Sequence, residues 1–542
     1  MRTEALFRCL STKKVRRSWL LLLPLTWACA VAANGATTGS VGTANVHFRV
    51  HLLDPSFDPN APVGGVPFCT SGSLGTILCY PPNFLKKAYH FPPTRGERGL
   101  DGTGQTIVIV DAFGSPTIQS DLDKFDAAFG LPPTKVDIRC GPTWTGASTD
   151  TCPVKTIADL GSAPNAGLCG ATGWAEETTL DVTMSHALAP GAKIVLVVAN
   201  DCFDQSITAA ELAAVQQDSL RGSVMSQSFG EPDDLVGCLD FPCTTVDPTI
   251  KADADHAYKI ATKKRWTLIA SSGDDGANTA LRAVGTPELT PSWPSTSPLN
   301  LAAGGTQGLP YGGQYGGPPG TGKSFACAAH TNCNTGLVVI NGGPNGCGTA
   351  ARPGVPSSCT PVGYGGEAAW NEFNIFGVGT STGGGVSTLY ERPSYQEDLP
   401  DEFDTLLGST VEASGRLNPD VSFNSAIHGG VLAPLGFLGP PTVWAVFGGT
   451  SAASPAWAGI IALLNQAHGH PVGFITPNIY DLTHMGLTDS IHDIRVGNNS
   501  DTNGQFGVDG FKARRGYDLT NGQGTPDVSQ FISIMVGLLS ND

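Results

Sequence analysis

The sequence predicts an α/β fold in which helices cover both faces of a doubly wound, mainly parallel sheet. Continuous apolar runs are typical of strands that are covered on both faces. Such runs occur at residues 105–110, 194–198, 224–229 and 267–270. Helical patterns occupy residues 117–129, 174–188, 207–219 and 249–264. This alternation favours a parallel sheet, and the carboxyl edge of such a sheet is the expected place for a functional site.

Two segments interrupt the alternation, at residues 137–170 and 307–366. Both are dense in Gly, Pro, Thr and Cys, and neither shows helical or strand periodicity. Segments of this length and composition are typical of surface loops. We therefore expect long, disulfide-tied loop insertions on the sheet.

The composition excludes some classes of function. The chain has 542 residues, which is enough for a large core. Only 14% of the residues are charged, yet Asp and Glu outnumber Lys and Arg by 47 to 31, which gives a formal net charge of −16. This balance disfavours binding to the phosphate backbone of a nucleic acid.

The N-terminus predicts export. Basic residues at 13–17 precede an apolar run at 19–33 that ends in small residues, which is typical of a secretory signal peptide. We expect residues 1–33 to be removed and the protein to be secreted, extracellular or periplasmic. An uncleaved signal anchor and twin-arginine export are the alternatives. No later segment is long and apolar enough to cross a bilayer, so no membrane association is expected after signal removal.

The cysteines predict disulfides. Two of the fourteen cysteines lie in the predicted signal peptide. The number of cysteines left in the mature chain is even, which is typical of exported proteins whose cysteines form disulfides. No pair has the CxxC spacing of a zinc site. Neighbours in the sequence are plausible partners, although the sequence leaves the connectivity open: Cys69 and Cys79, Cys140 and Cys152, Cys238 and Cys243, Cys327 and Cys333, and Cys347 and Cys359.

The strongest local signal is a turn that contains Ser451. The sequence Gly449-Thr450-Ser451 leads into an apolar helical pattern at 456–466, and Pro455 suits the first turn of a helix. Ser451 would then lie near a helix N-terminus, where amide donors and the helix dipole favour a developing negative charge. The alternative is that Ser451 only caps the helix.

A pair of acids lies on a predicted helix. Glu177 and Asp181 are four residues apart, so their side chains project from one helix face. Two acids placed in this way repel each other when both are ionised, so one should keep its proton to a higher pH than a free carboxyl group. Such a pair can pass protons in acid. The alternative is a solvated acidic helix face.

A third acid follows the apolar run at 267–270. Asp274 lies in the glycine-rich turn Ser272-Gly273-Asp274, which the fold would place at the carboxyl edge of the sheet. A shielded and protonated Asp274 can donate a hydrogen bond to an oxyanion. The alternative is an ordinary turn-forming aspartate.

Together these residues resemble the sedolisin family of serine-carboxyl peptidases, which have a subtilisin-like fold. The resemblance spans about residues 80–527 and rests on the order of several short motifs. In chain order the motifs are Glu177-Thr178-Thr179-Leu180-Asp181, Ala189-Pro190-Gly191-Ala192, Ser272-Gly273-Asp274, Gly304-Gly305-Thr306, Gly383-Gly384-Gly385-Val386-Ser387, Pro393-Ser394-Tyr395-Gln396, Pro419-Asp420-Val421 and Gly449-Thr450-Ser451.

The resemblance implies a role for each of four residues. Ser451 would attack the peptide carbonyl, and Glu177 would take and return the proton with Asp181 hydrogen-bonded behind it. Protonated Asp274 would stabilise the tetrahedral intermediate. Carboxyl groups can act as bases at low pH, where histidine stays protonated. The sequence around Asp111 resembles that around the catalytic aspartate of subtilisin, but the proton relay of the sedolisin family does not use this position.

The resemblance also implies one Ca²⁺ site near the C-terminus. Asp493 and Asp518 would offer carboxylates, and Ile494, Arg514 and Gly516 would offer backbone carbonyl oxygens. Arg514 stands where several family members have glycine. An ordinary acidic loop is the alternative.

The expected organisation is a signal peptide at 1–33, a short segment at 34–79 and a sedolisin-like peptidase domain at 80–542. The short segment has too few residues for the separately folding propeptide that family members usually carry. Either folding needs no such domain, or the segment has a reduced version of its role. The expected protein is a monomer that acts on protein or peptide substrates.

Two other functions remain open. A subtilisin-like Ser-His-Asp hydrolase would use Asp111, Ser451 and a histidine such as His186 or His256, and it would have a neutral pH optimum because imidazole must be unprotonated. A non-catalytic binding protein on the same scaffold is the second alternative.

Overall fold

The structure is a computed structural model. It describes residues 43–54, 57, 68–71, 75–94, 96, 99–140, 152–238, 247–279, 288–308, 332–334, 337–341, 360–373, 380–500 and 508–540. Thr37–Asp542 belongs to one compact unit. The predicted signal peptide lies outside the described residues, as does most of the second predicted loop insertion.

The strands, in chain order, are β1 (Asn45–Val46), β2 (Arg49–Leu52), β3 (Phe68–Ser71), β4 (Gly75–Tyr80), β5 (Thr106–Ala112), β6 (Asp137–Cys140), β7 (Lys193–Ala199), β8 (Val224–Gln227), β9 (Phe229–Pro232), β10 (Thr267–Ser271), β11 (Ser292–Trp293), β12 (Asn300–Gly308), β13 (Asn332–Asn334), β14 (Val338–Asn341), β15 (Thr360–Tyr364), β16 (Glu367–Ala369), β17 (Gly385–Glu391), β18 (Glu402–Asp404), β19 (Thr410–Glu412), β20 (Gly415–Asn418), β21 (Val421–Asn424), β22 (Gly430–Leu435), β23 (Val443–Gly448), β24 (Ile491–His492) and β25 (Thr525–Pro526). The described α-helices are α1 (Pro82–Ala88), α2 (Ile118–Phe129), α3 (Asp159–Ser162), α4 (Ala166–Cys169), α5 (Ala171–Leu188), α6 (Asp204–Gln216), α7 (Thr249–Lys263), α8 (Ala453–His468), α9 (Thr476–His484) and α10 (Val528–Leu539).

An eight-stranded sheet forms the centre of the fold. Its order is β16-β12-β10-β8-β5-β7-β6, and β21 also pairs with β12. All of these pairings are parallel except that of β12 with β16. The sequence therefore predicted the sheet type correctly. Side chains of β5, β7, β8 and β10 are buried on both faces, which explains their continuous apolar runs.

One predicted strand is divided in the structure. The run at 224–229 contains the whole of β8, which ends at Gln227, and the first residue of β9, which begins at Phe229. β8 stays in the central sheet, whereas β9 pairs antiparallel with β1 and β11. Ser228 lies between them, so its backbone and side chain are available to neighbouring residues at the edge of the sheet.

The helices pack in two groups around the central sheet. α5 contacts α8, α2 and β5, while α6 contacts α7, β7 and β5. α8 also lies against β8, β10 and β12. The packing of α5 beside α8 brings the helix that carries the predicted acids next to the helix that follows Ser451.

A second sheet has the order β2-β23-β22-β4-β3. Its β23 leads directly into the turn that contains Ser451, and the N-terminal strand β2 pairs antiparallel with β23 from Arg49 opposite Gly448 to Leu52 opposite Ala445. Residues 43–53 therefore run along the edge of the predicted site.

Three disulfides lie within the described residues. Cys69–Cys79 and Cys140–Cys152 join neighbours in the sequence, as predicted. Cys169–Cys202 joins residues 33 apart, a pair that the spacing did not indicate. Cys238 is also disulfide-bonded. The predicted pairs Cys327 with Cys333 and Cys347 with Cys359 lie outside the residues whose side chains the structure describes.

Helices long and apolar enough to cross a bilayer are absent from the described part of the chain.

Candidate active site

Ser451 lies in the connection between β23 and α8. The chain leaves β23 at Gly448, turns at Gly449 and forms a short 3₁₀ helix at Thr450–Ala452 before α8 begins. The Ser451 side chain is fully buried, and its hydroxyl donates to the carbonyl oxygen of Ser228 (3.2 Å). No side chain caps α8. The helix-capping interpretation of Ser451 is therefore wrong, and its hydroxyl faces the end of β8.

Gly449 is required by the geometry of this turn. Its φ of 115° lies in a region that residues with a side chain rarely adopt. A Cβ atom at this position would lie 2.4 Å from the carbonyl oxygen of His47 and 2.6 Å from Oδ2 of Asp274. The absence of a side chain thus lets a peptide carbonyl and a carboxyl group approach the same point beside Ser451.

Glu177 and Asp181 lie on one face of α5, as predicted, but the face is buried rather than solvated. Oδ1 of Asp181 accepts a hydrogen bond from the Ser228 hydroxyl (2.8 Å). Both oxygens of Glu177 are buried and have no hydrogen-bond partner in the structure. The interpretation of this pair as a solvated acidic surface is wrong.

Burial and neighbouring negative charge raise the pKa of both carboxyl groups. Burial raises the pKa of Glu177 well above its usual value, and the neighbouring charges of Asp181, Asp111 and Asp274 raise it further. The Ser451 hydroxyl opposes part of this rise in the pKa of Glu177. Burial also raises the pKa of Asp181 well above its usual value, followed by the effect of Asp111.

Asp111 is a third acid in this cluster, which the sequence reasoning set aside. It lies near the carboxyl end of β5, is fully buried, and neither of its oxygens has a hydrogen-bond partner that meets normal geometry. Burial raises its pKa to about 7, against a smaller lowering by Thr178. A signal was present in the sequence, because Asp111 ends an apolar run whose carboxyl end lies at the site edge of the sheet.

Asp274 follows β10 and is hydrogen-bonded to the turn that carries Ser451. Its Oδ1 accepts hydrogen bonds from the backbone N–H (2.8 Å) and the hydroxyl (2.9 Å) of Thr450. Its Oδ2 is buried and has no partner. Burial raises the pKa of Asp274 to about 6, while nearby Arg49 opposes the shift. Below this pH the carboxyl group can donate a hydrogen bond from Oδ2.

The site already holds a peptide carbonyl group. The backbone N–H of Ser451 donates to the carbonyl oxygen of His47 (2.9 Å). The same oxygen and Oδ2 of Asp274 both lie within 2.6 Å of the point where a Gly449 Cβ would stand. A backbone donor therefore binds a peptide carbonyl oxygen next to the serine hydroxyl, and Oδ2 of Asp274 lies at the same turn, a set of groups that suits stabilisation of an oxyanion.

Neither candidate histidine base is available to Ser451: one is bonded to other residues and the other lies on the surface. His186 forms an ion pair with Asp126 (3.1 Å) and lies 2.9 Å from the Pro132 carbonyl oxygen. His256 is exposed on α7, whereas Ser451 is buried. Among the described residues, no histidine ring nitrogen bonds the Ser451 hydroxyl. The geometry thus favours carboxyl groups over imidazole as partners of Ser451.

The five residues predicted to bind Ca²⁺ lie close together. Asp493 Oδ1 accepts from the backbone N–H of Gly516 (3.1 Å), and Asp518 Oδ2 accepts from that of Arg514 (2.8 Å). The Arg514 guanidinium points to the Phe403 ring, 4.3 Å from its centroid. The described residues include no cluster of three or more His, Cys, Asp or Glu side chains suited to a metal. A site here would therefore depend on backbone carbonyl oxygens, which Ca²⁺ accepts readily.

Comparison with known proteins agrees with this geometry. The sequence model described as the Subtilase family matches residues 163–488. Kumamolisin from Bacillus sp. (strain MN-32) is 29% identical over 453 residues, covering 82% of this chain and 62% of kumamolisin. Sedolisin from Pseudomonas sp. (strain 101) is 27% identical over 290 residues, covering 52% of this chain and 37% of sedolisin. The chain thus spans less than two thirds of the length of these relatives.

A solved structure supports the predicted subtilisin-like fold. Pseudomonas sedolisin, described as a serine-carboxyl proteinase complexed with two molecules of pseudo-iodotyrostatin, superposes with a TM-score of 0.58 at 22% sequence identity. The superposition covers 85% of this chain and 99% of that chain. The fold class predicted from the strand and helix alternation is confirmed.

Proposed function

Because the chain belongs to the subtilase family and its sequence relatives place it among the sedolisins, we propose that it is an acid-active serine-carboxyl peptidase. Its substrates are proteins or peptides. The observation that carries the proposal is that the Ser451 N–H binds a peptide carbonyl oxygen and the unpartnered Oδ2 of Asp274 lies at the same turn, next to a serine hydroxyl whose neighbours are buried acids.

In the proposed mechanism, Ser451 Oγ attacks the carbonyl carbon and Glu177 takes the hydroxyl proton. Burial raises the pKa of Glu177, which makes its carboxylate a stronger base than a solvated one. Asp181 is held by Ser228 and supports Glu177 from the same helix face. Glu177 then returns the proton to the leaving amine, and water repeats the sequence on the acyl-enzyme.

Asp274 stabilises the oxyanion in this mechanism. Its Oδ1 is fixed by two hydrogen bonds from Thr450, so its orientation is set before substrate arrives. The free Oδ2 carries the proton that is donated to the oxyanion, together with the N–H of Ser451. Removing one such donor typically costs about 3 to 4 kcal/mol of transition-state stabilisation.

The pH dependence of peptide hydrolysis tests the proposal. We expect cleavage of an acid-denatured protein at pH 3 to 5, roughly where carboxyl groups titrate, and loss of activity above the pKa of Asp274 near 6. Ser451→Ala should abolish cleavage. Ser223→Ala is the matched control, because Ser223 is also buried but precedes β8 at the other end of the sheet. Equal activity of the two variants would refute the proposal.

We also propose that the C-terminal loop binds one Ca²⁺. Asp493 and Asp518 both accept hydrogen bonds from the same short loop, residues 514–516, so their carboxylates lie close to it. No described hydrogen bond uses the carbonyl oxygens of Ile494, Arg514 or Gly516, and the positive Arg514 side chain is directed to Phe403. These residues fit a hard cation. The bound ion would neutralise the two carboxylates and hold the loop in place.

The remaining organisation is proposed from the sequence. A signal peptide at 1–33 directs export, and a short N-terminal segment at 34–79, whose described strands pair with strands of the later chain, precedes the peptidase domain at 80–542. The secreted protein acts as a monomer.

A further inference from the structure

We propose that Glu372 is a positioning residue for the nucleophile, because its carboxylate fixes the loop that holds the Gly448–Gly449 turn before Ser451. This loop comprises residues 425–429, between β21 and β22, and we call it the support loop. The inference deepens the proposed peptidase function and rests on it.

The support loop is bonded to the nucleophile turn. The backbone N–H of Gly449 donates to the carbonyl oxygen of Ser425 (2.6 Å). A Cβ at Gly448 would lie 2.7 Å from that same oxygen and 2.7 Å from the backbone nitrogen of Ile427, so the loop and the turn are in close contact over two residues. The backbone N–H of Ser425 donates in turn to the carbonyl oxygen of Thr306 in β12 (2.9 Å). The support loop therefore connects the turn before Ser451 to the central sheet.

The carboxylate of Glu372 fixes the other part of the support loop. Its Oε1 accepts from the backbone N–H of His428 (3.0 Å) and lies 2.8 Å from Nδ1 of the same residue. Its Oε2 accepts from the backbone N–H of Ile427 (2.8 Å) and the indole N–H of Trp370 (2.9 Å). Glu372 is only 1% exposed. Two consecutive N–H groups of the loop are thus held by one buried side chain, within three residues of the carbonyl group that binds Gly449.

The charge of Glu372 is matched to this role. Burial by itself would raise the pKa of Glu372, but the hydrogen bonds and charge of His428 and the indole of Trp370 lower it from its usual value. On β2, which packs beside this pair, His51 interacts with the charges of Glu372, His428 and Arg49. Glu372 should therefore stay ionised further into acid than a free carboxyl group. It differs in this respect from the acids around Ser451, whose pKa values are raised.

A neutral side chain of the same size cannot replace the carboxylate. In Glu372→Gln, one acceptor oxygen becomes an amide nitrogen that is itself a donor, so N–H groups that now share this oxygen lose their acceptor. The support loop would have to shift to regain partners, and the Ser425 carbonyl group would move with it. Because a displacement of about 1 Å at a reacting group can lower a rate by about 10²-fold, the Ser451 hydroxyl should become less reactive.

The kinetics of Glu372→Gln test the assignment. Cleavage of a quenched fluorescent peptide is measured at pH 4, and active sites are counted by titration with a peptide aldehyde. We expect kcat per active site to fall by about 10-fold or more, with KM within about threefold of the wild-type value. A merely structural role would lower the melting temperature and the number of active sites but leave kcat per active site unchanged. That result would overturn the inference.

The matched control is Asp126→Asn. Asp126 belongs to another buried ion pair, with His186 (3.1 Å), which lies between α2 and α5. Its kcat per active site should stay within about twofold of the wild-type value. A loss equal to that of Glu372→Gln would show that any buried ion pair affects catalysis, and it would overturn a specific role of Glu372.

A second variant tests the charge without altering Glu372. His428→Leu removes the ring N–H and the positive charge but keeps the backbone N–H that Glu372 accepts, so burial should raise the pKa of Glu372 in this variant. The carboxylate would then be lost as the pH falls, and the ratio of the variant kcat to the wild-type kcat should decrease from pH 5.5 to pH 3. Activity at pH 5.5 shows that the variant is folded. A ratio that does not change with pH would overturn the role of the charge.

The wild-type protein distinguishes failure of the inference from failure of the proposed function. If it does not cleave the peptide at any pH from 3 to 8, the peptidase function itself fails. If it cleaves the peptide and Glu372→Gln cleaves it with the same kcat per active site, only the positioning role of Glu372 is refuted.

Discussion

Thr450 fixes Asp274 to the turn that carries the nucleophile. Its N–H and hydroxyl both donate to Oδ1 of Asp274, and the same hydroxyl accepts the N–H of Gly273 at 3.1 Å. The turn before α8 and the turn after β10 are thereby joined at the site. Because Oδ1 accepts both hydrogen bonds from Thr450, the proton of a neutral Asp274 is placed on Oδ2, which is buried and has no partner.

Asp274 should set the upper pH limit of activity. Its pKa is raised to about 6, so the donating form is present below this pH and is lost as the pH rises through it. We expect kcat to fall above pH 6, and Asp274→Ala should lower kcat by about 10² to 10³ at pH 4. Asp274→Asn keeps a donor at every pH, so its residual activity should no longer fall at pH 6. Measured kcat profiles from pH 3 to 8 check this, and an unchanged upper limit in Asp274→Asn would contradict it.

Glu177 and Asp181 should be needed for the chemical step. Glu177→Gln keeps the size of the side chain but removes the base, and it should lower kcat by about 10² to 10⁴. The matched control is Glu176→Gln at the adjacent position, where burial raises the pKa to about 7 but no contact with Ser451 is present. A similar loss of kcat in both variants would show that any substitution on this part of α5 lowers activity, and that Glu177 has no specific role as a base.

Gly449 should tolerate no side chain. Gly449→Ala combines a φ of 115° with contacts of 2.4 to 2.6 Å, so we expect loss of activity and a lower melting temperature. Gly469→Ala at the end of α8 is the control, because its φ of 81° carries strain but no atom lies within 4 Å of the added Cβ. Backbone strain of this kind costs about 1 to 3 kcal/mol. Thermal unfolding of both variants separates the steric clash from the strain, and equal melting temperatures would contradict the clash.

Ca²⁺ should stabilise the C-terminal loop. We expect a chelator to lower the melting temperature and added Ca²⁺ to restore it, because an ion bound only by the folded state stabilises it. Asp493→Asn should weaken Ca²⁺ binding measured by calorimetry at least 10-fold, since it removes one of two proposed carboxylate ligands. Asp489→Asn, at a nearby exposed position, should leave it unchanged. Unaltered binding in Asp493→Asn would place the ion elsewhere.

Acid should loosen β2. His51 lies on β2, and burial lowers its pKa from 6.5 to about 4, while Glu372 opposes the shift and His428 and Arg49 add to it. A released β2 would therefore bind a proton more readily than a docked one, so docking should weaken as the pH falls from 6.5 to 4. Hydrogen exchange of residues 49–52 in Ser451→Ala, corrected for intrinsic rates, should show this loss. In His51→Gln the pH dependence should be absent, and its persistence would exclude His51 as the cause.

The sequence predicted the central sheet because its strands are buried on both faces and therefore lack polar alternation. It also placed Ser451, Glu177, Asp181 and Asp274 at positions that the structure brings together. The position of Asp111 after an apolar run placed it at the site edge of the sheet, but only the packing of α5 across the end of β5 shows that it joins the acid cluster. The Cys169–Cys202 pair was likewise missed, because spatial proximity of residues 33 apart depends on the fold.

The sequence by itself determined the order of elements and the chemical groups at the carboxyl edge of the sheet, because periodicity and glycine turns are local properties. Only the tertiary structure decided which groups lose water and which face each other. Burial raises the pKa of the three clustered acids, and strand pairing brings His47 to Ser451 across about four hundred residues of chain. Both effects arise from long-range packing, which no local pattern encodes.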